Sequence, residues 1–469
     1  MSAVALLIDF GSTYTKLRAV DLDGSRLLGA SQGPSTVTTD IREGLTAALR
    51  DLERRLGGLP DFRHRLASSS TAGGLRMVTV GLVRELTAEA ARQAALGAGA
   101  KLVGTFSYQL TGSDVEEIER LAPDIILLAG GTDGGNTEYI LANARSLATA
   151  SIDCPTVVAG NRVATDEVGE ILESADKPVA LTENVMPEFG VLNIEPAREA
   201  IRQVFIDRIV HAKGIDRARE MFDEVLMPTP AAVLEGSRLL AEGSGEQTGL
   251  GPVLVVDIGG ATTDVHSVCS GNPSQEGVVL QGLPEPFVKR TVEGDLGVRH
   301  NAASILEAAG PEAVAVDAGV TPNQAEEIVR LMHENVECLP EEAEACAVDR
   351  ALARSAARIA VRRHAGTTET VYTVTGPVAV QRGKDLSDVG TVVGTGGPLT
   401  WSAEPGDILA EALADPDDPL SLRPRRPRLL LDRDYILYAC GLLAAIQPEA
   451  ALSLALKHIR PIGGEDPHG

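Results

Sequence analysis

The stretch VLVVDIGGATTDVHSV, residues 253–268, decides the fold expected for this chain of 469 residues. Its apolar start predicts a buried strand that ends at Asp257, and its second half predicts a returning strand. Gly259 and Gly260 allow positive φ and close backbone approach, so amide groups of the turn can converge on an anion. The pattern is typical of a nucleotide site.

Hydroxyl and carboxylate side chains complete this turn. Thr262 and Thr263 add hydroxyl donors, and Asp257 and Asp264 bracket them. Because two carboxylates beside a phosphate would repel it, their presence predicts a divalent cation, Mg²⁺, between them. The alternative interpretation is an ordinary glycine-rich hairpin with a solvated aspartate.

A second copy of the pattern lies at residues 5–20, ALLIDFGSTYTKLRAV. An apolar run again ends at an aspartate, Asp9, before a glycine, hydroxyl residues, a lysine and an alternating strand. The candidate phosphate-binding residues here are Gly11, Ser12, Thr13, Thr15 and Lys16. Two such hairpins predict two homologous half-molecules that face one nucleotide, and the pair resembles the two phosphate loops of the actin, sugar kinase and DnaK-type superfamily.

Composition narrows the function classes. The chain is 44% hydrophobic, enough for two or three cored domains, and its net charge of −24 argues against nucleic acid and anionic membranes as partners. Five dispersed cysteines suit a reducing compartment. No apolar run approaches a membrane span and strand sequence begins at Ala3, so we expect no signal peptide and a cytoplasmic protein.

The first part of the chain has two successive patterns of predicted strands and helices. After the Asp23-Gly24 turn, residues 26–30 predict a third strand, and residues 41–56 have a helical period. From about 75 to 185, strands and helices alternate as in a parallel doubly wound unit, which we interpret as an insert. The loop LAGGTDGGN, residues 128–136, is either a phosphate or partner site or a tight turn capped by Asn136.

Further motifs follow in the order of the superfamily. Residues 186–250 are predicted to be largely helical and contain MPTPAAVLEG, residues 227–236, which resembles the crossover helix of DnaK-type proteins with Met227 in place of the family glutamate. That carboxylate is thought to position the attacking water, so the resemblance implies slow hydrolysis. Residues 243–251 predict the boundary to the second half.

The second half carries two more candidate nucleotide segments. RTVEGDLG, residues 290–297, lies where relatives have a turn beside the nucleotide, and Glu293 is its candidate contact; Glu293 and Asp295 are alternatively helix-capping acids. TVVGTGGPLTW, residues 391–401, resembles the adenosine motif. Its candidate contacts are Gly394, Thr395, Gly396 and Gly397.

The superfamily resemblance implies an α/β, actin-like ATPase fold with two ribonuclease-H-like halves around a nucleotide cleft. We expect the first half at 1–240 with the insert at about 75–185, the second at 250–432, and a C-terminal helix at 433–460 that packs back on the first half. ATP and Mg²⁺ are the implied cofactors. The resemblance assigns the catalytic and metal-binding roles to Asp9, Asp257 and Asp264.

The motifs together narrow the resemblance to one family. The order DFGSTYTK, SSSTAGGLRMVTVGLV, LLAGGTDGGN, LMPTPAAVL, VVDIGGATTDV, RTVEGDLGVR and VVGTGGPLTW is similar to the glutamate mutase accessory family called MutL or GlmL, which is unrelated to the mismatch-repair MutL. Its members are encoded with adenosylcobalamin-dependent mutases and are similar to diol dehydratase reactivating factors. The resemblance implies a slow, Mg²⁺-dependent ATPase that acts as a chaperone-like accessory or reactivating factor, with mutase subunits as partners.

Three other functions compete with this one. A small-molecule kinase of the sugar or acetate type requires an acceptor pocket with a general base, and no residues outside the loops suggest one. A filament-forming actin homologue would have to accommodate the insert between subunits. A reductive dehydratase activator requires cluster-ligating cysteines, and the dispersed cysteines argue against it.

Overall fold

The structure is a computed structural model of the chain. It describes residues 3–11, 14–36, 40–70, 75–210, 221–336, 339–374 and 376–463. Contacts divide the chain into two compact units. The first consists of Met1–Gly236, Gly282–Pro286 and Tyr438–Ala451, and the second of Ser237–Gln281, Phe287–Leu437 and Leu452–Gly469.

Five strands form the main sheet of the first unit. They are β1 (Val4–Phe10), β2 (Tyr14–Asp21), β3 (Arg26–Pro34), β4 (Phe62–Ser69) and β10 (Glu224–Pro228). The sheet order is β10-β4-β1-β2-β3. The first three strands are an antiparallel meander, and β4 and β10 run parallel to β1. Apolar side chains at consecutive positions bury β1 completely, as its sequence predicted.

Helix α1 (Ile41–Leu56) covers this sheet and has the bounds that its period predicted. Asp40 caps its start by accepting a hydrogen bond from the Arg42 amide, and Gly57 ends it in the left-handed conformation, with φ 73°. Its apolar stripe packs into the core beneath the sheet.

The second unit repeats the strand order of the first. Its main sheet contains β13 (Val253–Ile258), β14 (Thr263–Val268), β16 (Val288–Glu293), β19 (Thr391–Thr395), β20 (Arg428–Asp432) and β21 (Ile459–Pro461). The order is β16-β14-β13-β19-β20-β21, again an antiparallel meander followed by two parallel strands. The two ribonuclease-H-like halves predicted from the hairpins are therefore confirmed.

A separate parallel sheet lies between β4 and β10 in the chain. Its strands are β5 (Leu75–Gly81), β6 (Ala100–Ser107), β7 (Ile125–Leu128), β8 (Thr156–Val158) and β9 (Val179–Leu181), in the order β6-β5-β7-β8-β9. Its helices are a π-helix (Arg84–Ala88), α2 (Glu89–Gly97), α3 (Gly112–Leu121), α4 (Glu138–Thr149) and α5 (Thr165–Glu173). The alternation from 75 to 185 thus predicted a doubly wound insert correctly, and this insert has an apolar core of its own.

The remaining elements complete each unit. Between the insert and the second half lie α6 (Glu195–Val204), a π-helix (Phe205–Val210), α7 (Thr229–Glu242), β11 (Gly243–Ser244) and β12 (Gln247–Thr248). The second half adds β15 (Val279–Gln281), α8 (Ala302–Ala309), α9 (Pro311–Ala318), α10 (Pro322–Glu334), α11 (Ala343–His364), β17 (Thr367–Thr373), β18 (Gly376–Arg382), α12 (Gly397–Thr400) and α13 (Pro405–Ala410). The last two helices are α14 (Leu437–Ala444) and α15 (Pro448–His458), and their residues from Tyr438 to Ala451 belong to the first unit.

Two expectations about helices were wrong. The segment expected to be largely helical contains strand β10, which pairs with β4, and α7 begins only at Thr229. Pro228 disfavours helical backbone at Met227, the residue before it, and so favours the strand there. The single C-terminal helix is two helices, α14 and α15. Pro448 has no amide hydrogen for a helical bond, so the second helix starts there.

Candidate functional site

The first hairpin places Asp9 at the buried end of β1, where it is 1% exposed. The Thr229 hydroxyl donates to Asp9 Oδ1 at 2.6 Å, and Lys16 Nζ lies 3.9 Å from Oδ2. Lys16 is the cross-strand partner of Asp9, so both side chains emerge on the same face of the sheet. Burial raises the pKa of Asp9 above its usual range, against the opposing effects of Lys16 and Thr229.

Two neighbours of Asp9 were not predicted as site residues. Thr229 opens α7, and its hydroxyl also lies 3.3 Å from Ser68 Oγ on the adjacent strand β4. Both residues belong to segments that carry the family resemblance, but only the parallel pairing of β1, β4 and β10 brings them to the carboxylate.

Met227 lies on β10 directly opposite Ser68 in the strand register and is buried. Met227 lies two positions before Thr229, the residue whose hydroxyl donates to Asp9. The thioether cannot accept a proton or orient water as a carboxylate does. The prediction of slow hydrolysis stays a prediction, and the position of Met227 supplies its structural argument.

The other predicted residues of this hairpin are placed differently. Ser12 and Thr13 lie outside the described residues. Gly11 makes the turn, its amide donating to the Tyr14 carbonyl at 3.1 Å. Thr15 is completely buried and, by strand alternation, faces away from Lys16. The Thr15 hydroxyl is therefore not brought together with Asp9.

The second hairpin presents backbone donors. In the described part of the chain, the amides of Gly260, Ala261 and Thr262 donate to no acceptor. Their turn is fixed from behind: the carbonyls of Gly259 and Gly260 accept hydrogen bonds from the turn at residues 298–300, at 2.9 to 3.2 Å. Three successive amides without acceptors, held by a second turn, are a suitable cradle for an anion.

The carboxylates that bracket this turn differ in environment. Asp257 ends β13 and is partly exposed. Asp264 is paired with the buried guanidinium of Arg290, whose Nη2 lies 2.6 Å from Asp264 Oδ1. Asp264 Oδ2 accepts from the Thr262 hydroxyl at 3.0 Å. The charge of Asp264 is thus already compensated. Arg290 was not predicted as a site residue, although it is the first residue of the predicted segment RTVEGDLG.

The segment at 290–297 lies beside the second hairpin, as expected. The Thr263 hydroxyl donates to the Leu296 carbonyl at 2.6 Å, so it holds this segment in place. Glu293 and Asp295 both bind Arg363, at 2.7 and 3.0 Å. Burial raises the pKa of Glu293, while its hydrogen bond from Arg363 opposes that change.

The glycines of the predicted adenosine motif contact the end of β13. Gly396 adopts φ 95° and ψ 160°, a conformation that is open almost only to glycine. A Cβ at this position would lie 2.2 Å from the Ile258 carbonyl oxygen and 2.7 Å from Asp257 Oδ1. Gly397, by contrast, faces open space at the start of α12.

Thr395 and Gly394 support this turn from within the unit. The Thr395 hydroxyl donates to Asp432 Oδ2 at 3.1 Å, and Asp432 in turn accepts from the amides of Ile436 and Leu437. Gly394 packs against Leu399. Within the second unit, the structure thus brings together three segments that are separate in the sequence, namely 257–264, 290–297 and 394–397.

A metal at these residues would have few protein ligands. Among the described residues, no three His, Cys, Asp or Glu side chains group closely enough to hold a metal ion. Mg²⁺ is usually bound through one or two carboxylates together with phosphate oxygens and water. The aspartates and the amide cradle fit a magnesium–phosphate group better than they fit a metal enclosed by protein.

The loop at 130–136 in the insert is a structured turn. Asn161 Oδ1 accepts from the Gly134 amide and Asn161 Nδ2 donates to the Gly135 carbonyl, both at 3.1 Å. Asn184 Nδ2 donates to Asp133 Oδ1 at 2.9 Å. Asn136 Oδ1 accepts from an amide in the first turn of α4 at 3.2 Å. The structure thus shows a tight turn that Asn136 caps, and the interpretation of this loop as a phosphate or partner site stays a prediction.

None of the described helices combines the length and the apolar composition needed to cross a membrane.

The duplicated strand order and the two strand–aspartate hairpins define the chain as an α/β protein with the actin-like ATPase fold. Residues 5–459 match the model of the family described as MutL protein. The chain therefore belongs to the MutL protein family, the glutamate mutase accessory family identified from its motifs.

One relative and two solved structures illustrate what the chain is similar to. Protein MutL of Clostridium tetanomorphum is 48% identical over 455 residues, which are 97% of this chain and 98% of the relative. Among solved structures, the ADP-bound glycerol kinase of Plasmodium falciparum is 11% identical with a TM-score of 0.35, covering 97% of this chain and 92% of that one. A glycerol dehydratase reactivase is 12% identical with a TM-score of 0.34, covering 95% and 100%.

Proposed function

We propose that this protein is a cytoplasmic, ATP-driven accessory or reactivating factor for an adenosylcobalamin-dependent mutase. Membership of the MutL family supports the mutase as partner, and glutamate (methylaspartate) mutase is the particular enzyme we propose. The observation that carries the nucleotide part is the duplicated hairpin with its unpartnered amides at Gly260, Ala261 and Thr262.

The phosphate groups of ATP are assigned to the two hairpins. In the second, the three free amides supply donors, and in the first, Lys16 does so, together with Gly11, Ser12 and Thr13, which we assign from the sequence pattern. We assign Mg²⁺ to Asp9, Asp257 and Asp264, of which Asp264 is the weakest candidate because Arg290 already neutralises it. When bound, the ion would neutralise charge on the phosphates.

The base and ribose are assigned to the second unit. Gly394, Gly396 and Gly397 let the backbone approach closely, and Gly397 faces open space. Glu293 is assigned to the rim of the same site, and Arg363 holds its carboxylate. The Thr395 and Thr263 hydroxyls are used inside the protein, so these two residues act by positioning the turns.

Met227 determines the rate in this proposal. Met227 stands where the family has a glutamate, so no carboxylate at this position orients the attacking water. Hydrolysis is therefore slow, and the ATP-bound state persists. A partner that binds the ATP state therefore has time to act before hydrolysis. This behaviour suits a factor whose nucleotide state reports on its partner rather than an enzyme with rapid turnover.

We assign the partner surface to the insert. Exposed apolar side chains follow three of the five strands of its parallel sheet, at the edge where the carboxyl ends of all strands meet. They are Tyr108 after β6, Val163 after β8, Leu181 at the end of β9, and Phe189 and Val191 beyond it. Apolar side chains exposed along one edge of a sheet can be buried by a partner protein.

Partner capture tests the proposal. The tagged protein is incubated with cobalamin-supplemented lysate, with and without Mg-ATP, and captured proteins are identified by mass spectrometry and by cobalamin absorbance. We expect a cobalamin enzyme whose recovery depends on nucleotide. Capture that is independent of nucleotide, or of proteins without cobalamin, contradicts the proposal.

Two surface variants test the assignment to the insert. Tyr108→Ser, at a 56% exposed residue of the insert, should reduce mutase association and leave ATP binding unchanged. We expect the effect of nucleotide on association to be on the order of 5- to 150-fold in the unmodified protein. Tyr372→Ser, at an 83% exposed residue of β17, is the matched control and should leave association intact. Equal association of both variants would remove the insert edge from the proposal.

A further inference from the structure

A cavity of about 280 Å³ lies within the second unit, apart from the hairpins. Its walls are the segment after β14 at residues 273–278, the hairpin of β17 and β18, and the loop at 414–425. Ligand pockets in proteins are commonly about 300–1,000 Å³, so this cavity suits a small molecule rather than a nucleotide.

The wall formed by the loop contains an incompletely paired cation. Arg423 is 2% exposed, yet its nearest recorded partners are the Glu411 carbonyl at 3.4 Å and the carboxylates of Asp415 and Asp418 at 3.6 and 3.7 Å. These distances exceed those of ordinary N–H···O bonds. In the described part of the chain, Arg423 Nε has no hydrogen-bond partner.

A second buried donor lies beside it. Ser421 is 7% exposed, and within the described residues its hydroxyl also has no partner. Buried polar groups in proteins are almost always hydrogen-bonded, and a buried charge without close partners is costly. The cavity is therefore lined by groups that lack an acceptor.

The acidic side chains of the lining compensate Arg423 only in part, because most of them have closer donors. Asp385 accepts from the amides of Ser274 and Ser387, Asp415 Oδ1 accepts from the amide of Asp417, and Glu369 pairs with Arg382. Asp418 Oδ2 lies 2.7 Å from Arg362 Nε and 3.7 Å from Arg423 Nη2, and among the described residues it has no hydrogen-bond partner.

Arg425 adds a second guanidinium to the lining. It is exposed, and no ion pair is recorded for it in the described chain. Guanidinium groups bind carboxylate and phosphate through two parallel hydrogen bonds. We propose that this cavity binds a small molecule through an oxyanion, a carboxylate or phosphate group, held by Arg423, Arg425 and Ser421.

Calorimetry on the full-length protein tests this inference, with succinate and inorganic phosphate as separate probes at matched ionic strength. We expect saturable binding of at least one probe, and the probe that binds identifies the group. Arg425→Gln should weaken that binding about 10- to 100-fold, as expected for the loss of charge-assisted hydrogen bonds. Because Arg425 is exposed, this variant should fold normally.

Arg426→Gln is the matched control, because Arg426 is the exposed neighbour of Arg425 and does not line the cavity. It should bind the probe like the unmodified protein. Ser421→Ala provides a second test inside the cavity and should also weaken binding. The proposal is overturned if neither probe binds, or if Arg425→Gln and Arg426→Gln bind with equal affinity. ATP affinity measured in the same variants should not change, which separates this site from the proposed nucleotide site.

Discussion

Replacement of Gly396 by alanine tests how the predicted adenosine turn supports Asp257. Gly396 has φ 95° and ψ 160°, and a residue with a Cβ in this region costs about 1–3 kcal/mol. The new Cβ would also lie 2.2 Å from the Ile258 carbonyl oxygen, a backbone atom that cannot rotate away. Such overpacking typically costs a further 1–3 kcal/mol, so we expect a total loss of about 2–6 kcal/mol.

The neighbouring glycine provides the control. A Cβ on Gly397 would meet no atom within 4 Å, and no positive φ is recorded there. Gly397→Ala should therefore change stability by no more than about 1 kcal/mol. The two variants differ by one position in the chain and have the same composition, so a difference between them reports the local geometry.

Thermal unfolding and calorimetry with Mg-ATP are the assays. A loss of 2 kcal/mol lowers the melting temperature by about 4–8 °C for a unit of this size. Gly396→Ala should also weaken ATP binding, because the added Cβ lies 2.7 Å from Asp257 Oδ1 and displaces that carboxylate. If Gly396→Ala melts at the same temperature as Gly397→Ala, the described turn is incorrect. Weaker ATP binding by Gly397→Ala at unchanged stability would show direct contact with the nucleotide.

Further predictions concern the metal, the rate and the thiols. Asp9→Asn and Asp257→Asn should each weaken Mg-ATP binding without unfolding the chain; wild-type affinity in both variants, measured by calorimetry, would contradict the assignment of Mg²⁺. Hydrolysis by the isolated protein should be slow, and Met227→Glu should accelerate it, because a positioned base or water commonly contributes about 10² to 10⁴ in rate. An unchanged rate in a phosphate-release assay would show that Met227 is not rate-determining. Cys346 is exposed, whereas burial raises the pKa of the Cys269 thiol, so mass spectrometry after brief alkylation at neutral pH should find label on Cys346 and not on Cys269; rapid labelling of Cys269 would contradict its burial.

Local sequence patterns predicted most regular elements. The bounds of α1 follow from a capping aspartate, an apolar period and a terminal glycine, all of which act within a few residues. The insert strands were predicted for the same reason, since parallel buried strands are short apolar runs between turn residues. Strand β10 was missed because its state depends on pairing with β4, about 160 positions earlier in the chain.

The candidate site divides in the same way. The sequence by itself determined the two hairpins, the aspartates at their strand ends and the family, because glycine, hydroxyl and carboxylate residues at fixed spacing express local backbone and phosphate chemistry. Only the tertiary structure decided what surrounds those aspartates: Thr229 and Ser68 at Asp9, Arg290 at Asp264, and Gly396 at Asp257. These partners come from distant segments and meet through strand pairing and burial. No local pattern encodes which buried carboxylate receives which donor, because that choice is made by the packing of whole elements.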